Sequence, residues 1–140
     1  MIKEFVESWD KHKDELKDFF KNNTQSNYSD YEDIVKLLFE KVINVDLEYD
    51  SEKFDTENIK VIDDGDYQGT RILILHKNSY QPNISEYVYT HTYYGSCSGC
   101  DTLQAILDWN YDKKPNEQQV EDLMQLALHL LQKCKYMEED

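Results

Sequence analysis

Residues 86–101 of this 140-residue chain read EYVYTHTYYGSCSGCD. In the first part of this segment, alternate residues form two sets: Tyr87, Tyr89, His91 and Tyr93 in one, and Val88, Thr90, Thr92 and Tyr94 in the other. Because successive side chains of a strand point to opposite faces, this alternation predicts a β-strand with two distinct faces. Gly95 and Gly99 end the pattern, and an apolar run at helical spacing follows. The segment therefore predicts a tight connection from a strand into a helix.

Four helices are predicted around this strand. Apolar residues recur at helical spacing over residues 2–21, and a second helix is expected after Ser29–Glu32, which has the form of a capping box. A third helix is expected from Leu103 through Trp109, directly after the glycine-containing connection. The last helix has Asn116 as its predicted N-cap, with Gln119 three residues on. Two helices thus precede the strand and two follow it.

Further strands are predicted between the second helix and the Tyr-rich strand. The runs Ile59–Ile62 and Thr70–His76 flank a loop rich in Asp and Gly, which predicts an antiparallel pair. Val45, Leu47 and Tyr49 alternate with acidic residues, which indicates a short edge strand with an acidic outer face. The predicted fold class is α+β, with a small antiparallel β meander of three to four strands and the two C-terminal helices packed on the sheet. Residues 1–140 are expected to form a single domain.

The charge of the chain restricts its partners. It has 15 Lys and Arg against 29 Asp and Glu, a net charge of -14, which argues against direct binding to nucleic acid or to an anionic membrane. We expect a protein partner with a basic surface. The acidic run at residues 46–57 could imitate a nucleic-acid backbone in a basic groove of that partner, or it could simply be solvated. The sequence leaves the oligomeric state open.

The expected location is the cytoplasm. No apolar run approaches the roughly 20 residues that a membrane-spanning helix needs. The first residues, MIKEFVE, carry acidic side chains where a signal peptide has a basic start followed by an apolar stretch. Three cysteines are too few, and odd in number, for a secreted disulfide framework, so reduced thiols are expected.

Cys97 and Cys100 permit three interpretations. A CxxC pair at the start of a helix favours thiolates and therefore redox chemistry, although the preceding antiparallel strands differ from a thioredoxin-like βαβ unit. The same pair could supply two zinc ligands, with His91 and His76 as the other two if strand pairing brings them together, and Cys134 as a further candidate. The third interpretation is structural, because small residues let the helix approach the sheet closely. Zinc is thus the one cofactor that these residues permit. Apart from it, we expect no cofactor.

The connection could also bind a small polar ligand. Ser96, Ser98, Asp101 and Thr102 offer hydroxyl and carboxylate groups beside free backbone N–H groups at a helix start. In the alternative, Asp101 or Ser98 only caps the helix.

The tyrosine side of the strand is a further candidate binding surface. Tyr87, Tyr89 and Tyr93 are aromatic residues with polar ends, a type enriched at protein interfaces. The same residues could instead pack in the core beneath a helix. The alternation alone does not separate these two interpretations.

Residues 94–101, YGSCSGCD, resemble a segment shared by a group of small, largely uncharacterised phage and prophage proteins. The resemblance implies an accessory protein encoded by a phage or mobile element and acting inside a bacterial cell. It brings no established activity and no catalytic residues, so the sequence leaves open whether the protein is an enzyme, with a non-enzymatic role favoured. The composition agrees with an AT-rich source, since the chain has 11 tyrosines but Arg71 as its single arginine. The expected function is binding of a host or phage protein, with inhibition of a nucleic-acid-handling or defence system as one outcome.

Overall fold

The computed structural model describes residues 1–65, 68–96, 99, 101–108 and 111–138. Across these residues the chain is α+β, as predicted, with helices at both ends and a four-stranded antiparallel sheet between them. The elements in chain order are α1 (Lys3–Asn22), α2 (Tyr31–Leu38), β1 (Lys60–Asp63), β2 (Gly69–His76), β3 (Tyr87–Tyr94), α3 (Thr102–Ile106), α4 (Glu117–Gln132) and β4 (Lys135–Tyr136).

The sheet is built around the pairing of β2 with β3. These strands pair along their full length, from Gly69 opposite Tyr94 to His76 opposite Tyr87. β1 pairs with β2 on the other side, which confirms the predicted hairpin, and the strand order is β1-β2-β3-β4. β4 pairs with only two residues of β3, Val88 and Tyr89. The part of β3 that follows Tyr89 therefore extends beyond its pairing with β4.

The core lies between one face of the sheet and the helices. The even-numbered residues of β3 face it, and Thr90 donates a hydrogen bond to the carbonyl of Leu130 in α4 at 2.7 Å. Apolar side chains at helical spacing complete the core, which confirms the predicted amphipathic helices. The fully or nearly fully buried members include Phe5, Leu16 and Phe20 of α1, Ile34 and Leu38 of α2, and Leu123, Ala127 and Leu130 of α4.

The helix ends follow local capping chemistry. Asn116 and Gln119 form the predicted capping box of α4. At α2 the capping box is formed by Asp30 and Asp33, one residue later than the predicted Ser29–Glu32 box. Both pairs have the spacing of the motif, so the sequence alone did not separate them.

The predicted edge strand at residues 45–49 is wrong. The chain forms short 3-10 turns at Asn44–Asp46 and Asp50–Glu52, and its backbone hydrogen bonds are local, such as Leu47 N–H to the carbonyl of Asn44 at 3.2 Å. The fourth strand is instead the C-terminal β4, next to β3.

The third helix is also shorter than expected. It ends at Ile106, because Leu107 has extended backbone angles and the N–H of Asp108 donates to the Gln25 side chain at 2.8 Å. Within the described part of the chain, no helix is long and apolar enough to cross a membrane.

Candidate functional site

Asp101 is the centre of the connection between β3 and α3. Its side chain is only 5% exposed. One carboxylate oxygen accepts hydrogen bonds from the Tyr31 hydroxyl at 2.9 Å and the Gln104 N–H at 3.0 Å, and the other accepts from the Gly95 N–H at 2.9 Å. The predicted role of Asp101 as a helix cap is confirmed. Because its other partners lie in α2 and after β3, Asp101 also ties three elements together.

Tyr31 extends this network. Its hydroxyl donates to Asp101 and accepts from the Leu103 N–H at 3.1 Å, so this one group of α2 satisfies both an acceptor and a donor at the start of α3. Burial raises the pKa of Tyr31, which keeps the hydroxyl protonated and able to donate. Ser96, another candidate binding residue, lies beside this network and is exposed.

Cys97, Ser98 and Cys100 lie outside the described residues, so the redox and zinc hypotheses stay predictions. The strand register nevertheless corrects one premise of the zinc hypothesis. His91 pairs with Ile72 and His76 pairs with Tyr87, which separates the two histidines by four residues, roughly 13 Å along the strands. Pairing therefore does not place His76 next to His91.

The other candidate ligands have different neighbours. The His76 ring lies 5.6 Å from the Tyr87 ring and 3.9 Å from a carboxylate oxygen of Asp55. Cys134 is fully buried, burial raises the pKa of its thiol to about 12, and the thiol donates to the carbonyl of Leu130 in α4 at 3.5 Å. Among the described residues, no group of three or more His, Cys, Asp or Glu side chains could hold a metal ion.

A polar cavity of about 350 Å³ adjoins the Asp101 network. Arg71 lines it, with its guanidinium 4.4 Å from the centre of the Tyr94 ring. The same guanidinium donates to Asp30 at 2.9 Å and to Asp63 at 3.4 Å, so its charge is already balanced within the protein. The hydroxyl of Tyr94 donates to Asp63 and holds the pKa of that carboxyl below its usual value. Binding of a small ligand here stays a prediction.

The tyrosine side of β3 faces away from the core. Tyr87 and Tyr89 are half-buried, His91 is exposed and Tyr93 is 53% exposed. The hydroxyl of Tyr93 donates to the Gln68 side chain at 3.4 Å. These residues therefore do not form the core face of the strand, which argues against the interpretation that they pack in the core beneath a helix. Their role as a binding surface stays a prediction.

Most of the acidic run lies in a closed loop, residues 45–53, here called the acidic loop. The side chain of Asn44 closes it by donating to the carbonyl of Phe54 at 3.0 Å and accepting from the N–H of Phe54 at 2.9 Å. Phe54 is 3% exposed, and its ring lies 5.3 Å from that of Phe39 and 5.9 Å from that of Phe5, both edge-on. The base of the loop is thus anchored in the core.

Two further residues, Asn78 and His12, hold the body of the acidic loop. The backbone N–H of Asn78 donates to the carbonyl of Lys53 at 2.9 Å, and its side chain donates to the carbonyl of Asp50 at 3.3 Å. On the other side, His12 of α1 lies 2.7 Å from a carboxylate oxygen of Asp46. This hydrogen bond holds the pKa of Asp46 below its usual value, so the carboxylate is ionised at neutral pH.

The tip of the acidic loop presents charge and an aromatic ring to solvent. Glu48, Asp50 and Glu52 are exposed, and Tyr49 between them is 61% exposed. None of these three carboxylates forms an ion pair with a Lys, Arg or His of the described chain. The three carboxylates thus have no counter-ion among the described residues, and they lie beside a tyrosine, a residue type that is enriched in interface hot spots.

The sequence interpretation missed the pair that closes this loop. Asn44 follows a π-helical turn, Phe39–Ile43, that continues α2. It is ten residues from Phe54, and an asparagine after a helical turn is also common in loops that close no such ring. The available signal was Phe54 itself, a large apolar residue within a strongly charged segment.

Comparison with known proteins does not add a relative from which a role could be transferred: no protein-family model, curated protein or solved structure matches this chain.

Proposed function

We propose that this chain is a non-enzymatic accessory protein that binds a basic surface of a host or phage protein through the acidic loop. The observation that supports this proposal most strongly is the exposed group of Glu48, Asp50 and Glu52 around Tyr49 on a loop whose base is closed by Asn44 and Phe54. A loop ordered before binding loses less conformational entropy in the complex, so more of the interaction free energy contributes to affinity.

The class of partner follows from charge. A basic groove that binds nucleic-acid phosphates also attracts closely spaced carboxylates on a molecule with a net charge of -14. We therefore propose a nucleic-acid-handling protein as the partner, and the resemblance of residues 94–101 to phage proteins favours a bacterial host or phage factor. Binding of this kind inhibits the partner by competition with its nucleic acid.

The test compares two triple variants with the same change of charge. In the loop variant, Glu48→Gln, Asp50→Asn and Glu52→Gln remove the charge at the tip with nearly isosteric amides. In the control variant, Asp10→Asn, Asp18→Asn and Glu138→Gln remove three exposed charges elsewhere. Each immobilised protein is incubated with lysate from a low-GC bacterium, and circular dichroism first establishes that all three proteins are folded.

We expect a basic protein that is retained by the wild type and the control, lost with the loop variant, and displaced by an added DNA duplex. The loop variant should retain about a tenth or less of the captured partner, since each lost charge-assisted contact costs on the order of 1 kcal/mol. Equal retention by the loop variant and the wild type would contradict the proposal. So would capture that the DNA duplex does not affect.

A further inference from the structure

The outer edge of β3 is open next to β4. The N–H of Met137 donates to the carbonyl of Tyr87 at 3.0 Å, so the backbone polar groups of odd-numbered β3 residues point toward β4. The ladder continues to Tyr89, opposite Lys135. The next partner in register, Lys133, instead donates its N–H to the carbonyl of His129 at the end of α4. In the part of the chain that the structure describes, no strand therefore pairs with the edge at His91 and Tyr93.

A groove runs beside this open edge. It has a volume of about 480 Å³ and lies between β3 and the helices α3 and α4. Its lining includes Tyr93, Ile106, Leu126, His129 and Lys133, with the acidic Asp122 about three turns of α4 away from Lys133. Ile106 and Leu126 give it apolar surface, and the open strand supplies the N–H groups of His91 and Tyr93 and the carbonyl of His91. The carbonyl of Tyr93 accepts from the Thr92 hydroxyl at 3.3 Å. This combination suits an extended peptide, which gains main-chain hydrogen bonds from an edge and side-chain contacts from pockets beside it.

The charge at one end of the groove is positive. Lys133 lines the groove, and Lys135 follows it at the start of β4. Neither lysine forms an ion pair with a carboxylate of the described residues. Both lysines lie near His91, since Lys135 is opposite Tyr89 and Lys133 lines the groove; partial desolvation, and after it these two charges, lower the pKa of His91. On an otherwise acidic protein, this edge complements negative charge.

We propose that an extended acidic segment of a partner protein adds to β3 as an antiparallel strand at His91 and Tyr93, with its carboxylates at Lys133 and Lys135. The added strand continues the line of β4 along the same edge and completes the ladder that ends at Tyr89. This surface differs from the acidic loop in its elements and in its sign of charge. The protein can therefore hold a basic surface and an acidic extended segment at the same time.

The probe for this site is a blocked peptide of alternating glutamate and valine, acetyl-(Glu-Val)4-amide. It is titrated into the ¹⁵N-labelled full chain, with acetyl-(Lys-Val)4-amide as the charge-reversed control. We expect amide shift changes confined to the β3 edge and the groove. At saturation, hydrogen exchange at the His91 and Tyr93 amides should slow by about tenfold or more, because these N–H groups then donate to the peptide. The lysine peptide should not bind.

Matched variants separate the edge from general charge effects. The Lys133→Glu/Lys135→Glu variant should weaken binding of the glutamate peptide by about tenfold or more, whereas Lys11→Glu/Lys114→Glu, with the same change of charge at other exposed positions, should have little effect. Lack of binding, equal binding of both peptides, or an equal loss in both variants would overturn the proposal. Shifts at His91 and Tyr93 that depend only on protein concentration would identify a second copy as the occupant and also overturn it. None of these results depends on the acidic loop.

Discussion

Replacement of Phe54 by alanine should lower the free energy of unfolding by about 4 kcal/mol, as is typical when a buried phenylalanine is truncated. Phe54 is the point at which the acidic loop enters the core, and its ring contacts Phe5 and Phe39 edge-on. The alanine variant loses the apolar contacts and leaves a cavity at the base of the loop. Urea unfolding followed by far-UV circular dichroism measures the change.

Two variants at the same loop separate anchoring from charge. Asn44→Ala keeps the aromatic cluster but removes both side-chain hydrogen bonds to Phe54, so it should cost about 1–2 kcal/mol. Tyr49→Ala, at an exposed position of the same loop, should change stability by less than about 0.5 kcal/mol. If Phe54→Ala were no more destabilising than Tyr49→Ala, the loop would not be anchored in the core. Should Phe54→Ala fail to fold, Phe54→Leu offers a milder truncation of the same contact.

Asp101→Ala should lower the free energy of unfolding by about 3 kcal/mol. The variant loses the N-cap of α3, which costs about 1 kcal/mol, and it leaves the buried Tyr31 hydroxyl and Gly95 N–H without their acceptor. Asp101→Asn retains one acceptor oxygen and should therefore cost less, about 1–2 kcal/mol. Urea unfolding of the wild type and both variants measures the two losses in free energy of unfolding and shows which is larger.

The control for this prediction is Thr102→Ala. Thr102 is exposed and lies next to Asp101 in the first turn of α3. Its substitution should change stability by less than about 0.5 kcal/mol. If Asp101→Ala behaved like Thr102→Ala, the three hydrogen bonds to Asp101 would contribute little, and the connection between β3 and α3 would need a different explanation.

The outline of the fold could be predicted because its main signals are local. The alternation in Tyr87–Tyr94 matches the observed burial of that strand, in which even-numbered residues face the core. The same rule failed at residues 45–49, because alternation shows only that a segment could be a strand, whereas a strand also needs a partner. There the side chain of Asn44 bonds to Phe54 and the chain turns locally. β4 was missed because Lys135–Tyr136 is too short to show a period.

The candidate sites were predictable only where they depend on neighbours in sequence. Asp101 was a predicted cap because its partner, the Gln104 N–H, lies three residues away. Its bond to Tyr31 spans 70 residues and is created by the packing of α2 beside the sheet, which no local pattern shows. The open edge of β3 is likewise a consequence of where α4 ends and β4 begins.

The proposed function requires that the acidic loop is held in one shape before any partner binds. Amide hydrogen exchange tests it directly at Glu52, Lys53 and Phe54, whose N–H groups donate to Tyr49, Asp50 and the Asn44 side chain. In the free wild type, exchange at these amides should be about tenfold or more slower than in an unstructured chain. In Asn44→Ala the protection of Phe54 should be lost, while the amides of β2 and β3 keep theirs. Exchange of all three amides at unprotected rates in the wild type would show that the loop is not held in one shape before binding.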